Sequence, residues 1–365
     1  MDGMMMRTPV PGSGPASGPT SGPRPRRLDI ARGRVDLSHG SGGRAMEQLI
    51  GELFLPAFAN DALSRRDDNA VLTLPPGELV VSTDSFVVSP LFFPGGDIGS
   101  LAVHGTVNDV AMAGAVPLYL TAGFVIEEGL PLADLKRIVD SMAAAAREAG
   151  VAIVTGDTKV VERGKGDGIF INTTGIGVRR PGIAPSGDRA RPGDVILLSG
   201  SIGDHGVAIM STRESLDFEA PVLSDSAALN GLVADLVQAV PGVRTLRDPT
   251  RGGLSASLNE IAERSGVGML VREADIPVQP AVEAACELLG LDPLHVANEG
   301  KLVAIVDPGA AEAALSALRA HPLGRDAAII GTVTGEAPGM VQIDTRFGGR
   351  RIVDWLAGEQ LPRIC

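Results

Sequence analysis

From residue 35 onward, short apolar runs of strand length interleave with longer stretches that repeat at helical spacing. The helical period is clearest over 131–149, where Leu135, Ile138, Val139, Met142 and Ala146 fall on one face. The Ala-, Val- and Gly-rich stretch 97–114 predicts a buried helix, and Met46-Glu47-Gln48-Leu49-Ile50 predicts a helix behind a glycine-rich turn. Apolar runs bounded by Gly, Pro or Asp predict strands at 70–74, 79–83, 118–126, 151–155 and 168–178. A Pro-Pro-Gly turn joins the first two. After a Pro/Gly cluster at 181–193 the pattern restarts with Val195-Ile196-Leu197-Leu198. Helices are expected near 204–213, 224–239, 252–265, 279–289 and 309–320, and strands near 268–271, 301–306, 328–334 and 339–343. Two such halves predict an α/β (α+β) fold of two domains, 35–180 and 181–354, followed by a mobile tail at 355–365.

Composition narrows what these elements can build. The 365 residues are 44% hydrophobic but only 3% aromatic, so the core must come from Ala, Val, Leu and Ile. Residues 1–34 form a Pro/Gly/Ser-rich arm that cannot bury enough apolar surface to fold and reads as a disordered, solvated segment. A net charge of −12 argues against general nucleic-acid binding and fits discrete carboxylates that hold metal ions. No run of 18 apolar residues predicts a transmembrane helix, and no apolar segment near the start predicts a secretory signal. Two cysteines cannot form a disulfide framework, so the expected compartment is the reducing cytoplasm. Cys286 lies in a helical pattern and reads as a core residue. Cys365 is the last residue of the sequence, where a mobile thiol could travel between sites or simply fray.

Candidate chemistry gathers in the first half. Four acidic clusters fall at expected strand ends or turns: Asp67-Asp68-Asn69-Ala70, Ser82-Thr83-Asp84, Asn108-Asp109 and Gly156-Asp157-Thr158-Lys159. A carboxylate at the end of a buried strand is costly unless it pairs or binds a cation. Several converging carboxylates suit Mg²⁺, which shares oxygen ligands with phosphates. His39-Gly40-Ser41-Gly42-Gly43 precedes a helix, so its backbone N–H groups could cradle phosphate, although neither the P-loop nor the dinucleotide spacing is present. Lys159 is the nearby cation. In the second half, Asp248-Pro249-Thr250-Arg251-Gly252-Gly253 runs into a helix, and Glu299 precedes an apolar strand as a turn residue or a positioned base. The five histidines lack metal-ligand spacing, and His104 reads as a hydrogen-bonded core residue.

These motifs, taken in order with Pro90-Leu91-Phe92-Phe93-Pro94-Gly95-Gly96 and the final Pro362-Arg363-Ile364-Cys365, resemble the AIR-synthetase-like (PurM-like) ATP-binding superfamily. Within it they resemble the hydrogenase-maturation carbamoyl dehydratases. The resemblance runs from about Val35 to the end and leaves out the arm. It implies a homodimer paired through the N-terminal domains, with ATP and Mg²⁺ beside that interface. It also implies a reaction: the carbamoyltransferase HypF loads Cys365, ATP drives dehydration to a thiocyanate, and the CN group passes to iron on a HypC–HypD scaffold. On this resemblance Asp68, Asp84, Asp109 and Asp157 bind Mg²⁺, while Gly40, Gly42, Gly43, Thr83, Asn108 and Thr158 join them in holding ATP. Lys159 and Glu299 lie beside Cys365 for orientation and proton removal. The final segment is expected in inward and outward states, since eight extended residues from Gly358 span about 26–29 Å.

Other readings stay open at this level. Aminoimidazole ribonucleotide synthetase or thiamine-phosphate kinase would leave Cys365 idle. Selenophosphate synthetase carries a reactive residue in its glycine-rich loop, and Ser38 to Gly43 has none. A nucleotide-gated assembly protein without turnover would use Cys365 only to dock.

Overall fold

The computed structural model describes residues 27–214, 222–356, 358 and 361–365. Most of the expected solvated arm therefore lies outside the described residues. Its last part is not free of the fold: Leu28 and Ile30 pack against the N-terminal core, and Arg34 bridges to Pro131. The folded part thus begins ahead of Val35.

A four-stranded sheet organises the first half, in the order Leu79–Phe86, Ile169–Arg179, Ala115–Glu127, Ala152–Val161. The first two pairings are antiparallel and the last is parallel. Two helices, Ile98–Met112 and Leu132–Ala149, cover one face. The first is buried nearly all round, so it shows no polar stripe. It comes close to the sheet because Gly177 stands beneath it: a Cβ there would lie 2.5 Å from Val110 Cγ1. The hydroxyls of Thr106 and Thr173 meet at 2.6 Å across the same contact. The opposite face is left uncovered, as an antiparallel sheet permits.

The second half is a seven-stranded sheet with helices on both faces. Two of its interior strands, Val195–Leu198 and Val303–Val306, send alternate residues to two cores. Ile196, Leu198, Val303 and Ile305 pack with the Gly253–Ser265 helix, whereas Leu197, Ala304 and Val306 pack with Asn230–Ala239 and Ala311–Ala320. This is why these strands read as unbroken apolar runs. Cys286 is 1% exposed within the Pro280–Leu289 helix. Among the described residues no helix is long and apolar enough to cross a membrane.

Several expectations need correction. Residues 70–74 form no strand; Val71 is 76% exposed, because no neighbouring strand is there to pair with this apolar stretch. The helix expected from 224 begins at Asn230, and the preceding residues lie across the N-terminal domain, with Ser224 N–H bonded to the Pro94 carbonyl. Of the four acidic clusters expected at strand ends or turns, only Asp67-Asp68-Asn69 contains a bend, at Asp68-Asn69. Asp84 lies inside Leu79–Phe86, Asp157 inside Ala152–Val161, and Asn108-Asp109 inside the Ile98–Met112 helix. Strands Thr245–Arg247 and Arg350–Val353 carry too little apolar pattern to be read in advance.

Candidate active site between the two domains

Residues 361–365 run into the junction of the domains and are held by both. The N–H groups of Val87 and Ser89 donate to the carbonyls of Cys365 and Arg363, each at 3.2 Å. The segment thus pairs with the chain just beyond the Leu79–Phe86 strand. Ile364 is 3% exposed and sits in the N-terminal core. From the second domain, His205 Nε2 donates to the Ile364 carbonyl at 2.8 Å. Arg213 donates to the carbonyls of Pro362, at 2.5 Å, and Arg363. This is an inward arrangement of the segment.

The arrangement carries Cys365 to a cluster of acids. Burial pushes its thiol well up, and Glu299 and Asp84 add to this while Arg251 opposes it. Glu299 is 3% exposed; burial, then Asp248, Asp225, Asp84 and Asp109, push its carboxyl well above the usual range. Asp248 is pushed up to about 7 by burial and by Asp109. Asp109 is raised by burial, against a 2.7 Å hydrogen bond donated by Ser82. Burial thus pushes both the Glu299 carboxyl and the Cys365 thiol toward their neutral forms.

The Glu299 loop is rigidly placed. The Asp225 carboxylate accepts from the N–H groups of Glu299 and Gly300 and from Lys301 Nζ, at 3.1, 3.2 and 3.1 Å. The fully buried Asn298 accepts from Gly203 N–H and donates to the carbonyls of Pro249 and Val296. Asn108, expected among the ATP ligands, has its amide committed here. It donates to Ala227 and Glu299 carbonyls and accepts from Leu229 N–H, so it ties the N-terminal helix to the second domain. His104 is a core residue as read, bonded to Ser226 Oγ at 3.0 Å and lowered to about 4 by burial.

The remaining expected residues lie elsewhere. The uncovered sheet face carries Thr83 and Thr174, then the row Ser85, Asn172, Gly123, Asp157, and then Lys159 beside Val125. Lys159 Nζ is bonded to both Asp157 oxygens, at 2.6 and 2.5 Å, and both side chains are about 60% exposed. Three strand spacings, about 14 Å, separate this strand from the one that bears Asp84. Lys159 is therefore not beside the Cys365 of its own chain. Thr158 is buried on the other face. The glycine-rich loop packs against the same edge strand: a Cβ at Gly40 would lie 2.6 Å from Val160 N, while Gly42 and Gly43 face open space. An apolar cavity of about 120 Å³ adjoins the strand, lined by Met46, Ile50, Phe54, Phe58 and Thr155–Thr158. Asp68 is exposed, with no side-chain partner among the described residues.

The four acids expected to share one metal thus separate, with only Asp84 and Asp109 close together. Among the described residues no three His, Cys, Asp or Glu side chains stand where one metal ion could take all of them. Sequence reasoning missed His205, Arg213 and Asp225, and it gave no role to Asn298, the first residue of the Asn298-Glu299-Gly300-Lys301-Leu302 stretch. His205 and Arg213 meet partners 159 and 149 to 150 residues away.

Comparison with known proteins bears on this geometry. Residues 66–179 match the family described as AIR synthase related protein, N-terminal domain, and residues 191–344 match the corresponding C-terminal domain. Carbamoyl dehydratase HypE of Azotobacter vinelandii is 68% identical over 339 residues, covering 93% of this chain and 99% of that protein. A crystal structure of the hydrogenase maturation protein HypE in complex with ATP is 56% identical, with a TM-score of 0.88 over 90% of this chain and 99% of that one. A HypE chain in a HypE–HypF complex is 54% identical, with a TM-score of 0.75 over 84% and 99%.

Proposed function

The chain belongs to the HypE carbamoyl dehydratases of the AIR synthase related family, and from that premise we propose that Cys365 carries its substrate. A HypF carbamoyltransferase loads the thiol as Cys365-S-C(=O)NH₂ while the segment is outward. The segment then returns to the cleft, and ATP phosphorylates the amide oxygen. This turns a poor leaving group into phosphate. The nitrogen gives up one proton as the C=N bond forms and a second as phosphate departs, leaving Cys365-S-C≡N and ADP. A HypC–HypD scaffold receives the cyano group as cyanide on iron for a [NiFe] hydrogenase, the acceptor side supplying two electrons as the S–C bond breaks and Cys365 leaves as thiolate.

The observation that carries this reading is the seat of Cys365, held in the cleft by its backbone bonds, beside the buried Glu299, whose carboxyl burial pushes upward. A protonated carboxyl can donate to the carbamoyl group as charge develops on it. To act instead as the base that takes the nitrogen's protons, Glu299 needs a cation brought near, which would lower its pKa. The exposed Lys159 suits that task, supplied by a second copy. Pairing of two uncovered sheet faces would bury the exposed Val81, Val116 and Val125 in a homodimer and bring each Asp157-Lys159 pair toward the partner's cleft.

ATP would lie along this edge. The open Gly42-Gly43 backbone and Thr83 suit its phosphates, and the apolar cavity beside Thr155–Thr158 suits a nucleobase. Asp84 and Asp109 fit Mg²⁺ as neighbouring carboxylates, with phosphate and water as the other ligands; burial, and then Asp84, raises the Asp109 carboxyl, which a cation would offset. When bound, that ion would neutralise phosphate charge. Asp68 and Asp157 would serve it only after rearrangement.

Intact mass measurement after incubation with carbamoyl phosphate, HypF and ATP·Mg²⁺ tests the proposal. A carbamoyl adduct on Cys365 that loses one water only with ATP is expected. An unchanged mass, or an adduct confined to Cys286, would overturn it.

A further inference from the structure

Among the described residues, every hydrogen bond the second domain makes with the final segment goes to its main chain, while the Leu361 side chain packs against the cluster of Val207, Val282 and Val296. The Asp204–Arg213 helix supplies both donors, one from each end. His205 is fully buried, and its hydrogen bonds run in one direction. Ser226 N–H donates to Ser224 Oγ at 3.1 Å, and that oxygen contacts His205 Nδ1 at 2.8 Å. The Ile364 carbonyl can only accept, so the ring proton is on Nε2 and Nδ1 accepts from the Ser224 hydroxyl. The edge of the ring is packed against Phe93, with centroids 5.5 Å apart.

Arg213 uses three donors on carbonyls of two segments. Nε reaches Ser89 at 2.5 Å, one terminal nitrogen reaches Pro362 at 2.5 Å, and the other reaches Arg363. The guanidinium therefore clips the final segment to the chain beside it. Two features work against this position. Arg363 has a φ of 53°, a left-handed conformation that a side-chain-bearing residue adopts at a cost. Arg363 also faces Arg213 as a like charge and is countered by Asp167 and the Val87 carbonyl.

We infer that His205 and Arg213 form a latch on the carbonyls of residues 362–364, and that this latch sets the fraction of time Cys365 spends in the cleft. They are positioning residues: they hold the carrier and touch no reacting atom. Because they read main chain, the latch is indifferent to what the thiol carries and holds the free, carbamoylated and cyanated forms alike. Release then requires only that the helix let go. The backbone cost at Arg363 and the Arg213–Arg363 repulsion favour departure once it does. The catalytic consequence rests on Cys365 being the carrier, whereas the latch itself does not.

Alkylation of the full chain by iodoacetamide, followed by intact and peptide mass spectrometry, tests it. Cys286 packs near the same helix and serves as the internal control for folding. Arg213→Ala and His205→Ala should each speed Cys365 alkylation roughly ten-fold or more, with Cys286 still protected. His205→Gln, which can still present an N–H near the Nε2 position, should stay closer to wild type than His205→Ala. Arg213 lies on the rim, so its variants decide the matter if a change at the buried His205 unfolds the domain. An Arg213→Ala rate within two-fold of wild type overturns the latch, as does a His205→Gln rate equal to that of His205→Ala. In carbamoylated protein, Arg213→Ala should slow ATP-driven water loss while loading by HypF is not slowed. Faster alkylation with an undiminished rate of water loss would keep the latch and show that return of the segment does not limit the chemistry, whereas the position of the adduct decides whether Cys365 is the carrier.

Discussion

The cleft between the domains and the uncovered face of the N-terminal sheet differ in nearly every physical respect. In the cleft, Ile364 and Glu299 are each 3% exposed, His205 is fully buried, and ionisable groups are pushed toward their neutral forms. On the sheet face, Asp157 and Lys159 are mostly exposed, and hydrogen bonding to Lys159 holds the Asp157 carboxyl below its usual range. An exposed pair of this kind is worth little, so Lys159 can leave Asp157 for a phosphate at small cost. The contrast separates two tasks. On the proposed reading, a dry pocket would shield the thiocarbamate from water, while a wet, charged surface would meet the nucleotide. One chain would then hold the first task and leave the second facing outward.

The largest effects should come from breaking that division. Cys365→Ala and Lys159→Ala should each reduce cyanated product to background when assayed alone. If the sheet face of one copy completes the cleft of the other, mixing the two variants restores activity. Random exchange of subunits then gives about one quarter of the wild-type rate. Mass spectrometry of the mixture should find thiocyanate on the Lys159→Ala chain. No restoration after demonstrated subunit exchange would mean that Lys159 acts on its own chain or not at all.

Glu299→Gln probes the cleft alone. It should slow loss of water from the carbamoylated protein by about 100-fold, a usual worth for a positioned acid or base. HypF loading should be unaffected, because it occurs with the segment outward. Thermal stability should hold or rise, since a neutral amide replaces a carboxyl that burial already disfavours as an anion. A full rate of water loss in single-turnover mass measurements would remove Glu299 from the chemistry.

Much of this cleft was legible in sequence, but unevenly. Cys365, Glu299, Asp84 and Asp109 stand out because they interrupt apolar patterns or occupy a chain end. The sheet and its helices were readable because Leu135, Ile138 and Met142 repeat at a helical period and Ile196-Leu197-Leu198 forms an unbroken run. Strand limits failed where the uncovered face made the pattern polar. Thr83 and Ser85, like Asp157 and Lys159, point outward, so the apolar signal stops while the backbone ladder goes on. The resemblance placed Lys159 beside Cys365, and it carries no information on which face of a sheet, or which copy of the chain, presents each. The latch was invisible for another reason. A bond from His205 to the Ile364 carbonyl spans 159 residues and uses main chain, which leaves no trace in the identity of its partner.

Acidification offers the finest test of the contrast, because it should weaken the cleft through His104 and leave the exposed face nearly indifferent. His104 joins the N-terminal helix to Ser226, and burial lowers its pKa from 6.5 to about 4. Between those values the unfolded chain binds a proton that the folded protein does not. The histidine's contribution is therefore fully present above pH 6.5 and is lost as pH falls toward 4. Its size over that window is about 3 kcal/mol, in the limit of complete desolvation. The raised carboxyls of the cleft act with the opposite sign, so the wild-type profile by itself does not isolate the term. His104→Asn retains an amide near the Ser226 hydroxyl and carries no titrating group. Denaturant unfolding at pH 7 and pH 4 should show wild type losing more stability than this variant, by up to that amount. Equal losses in the two proteins would mean that His104 charges without disturbing the junction, and that the cleft is wetter than its burial implies.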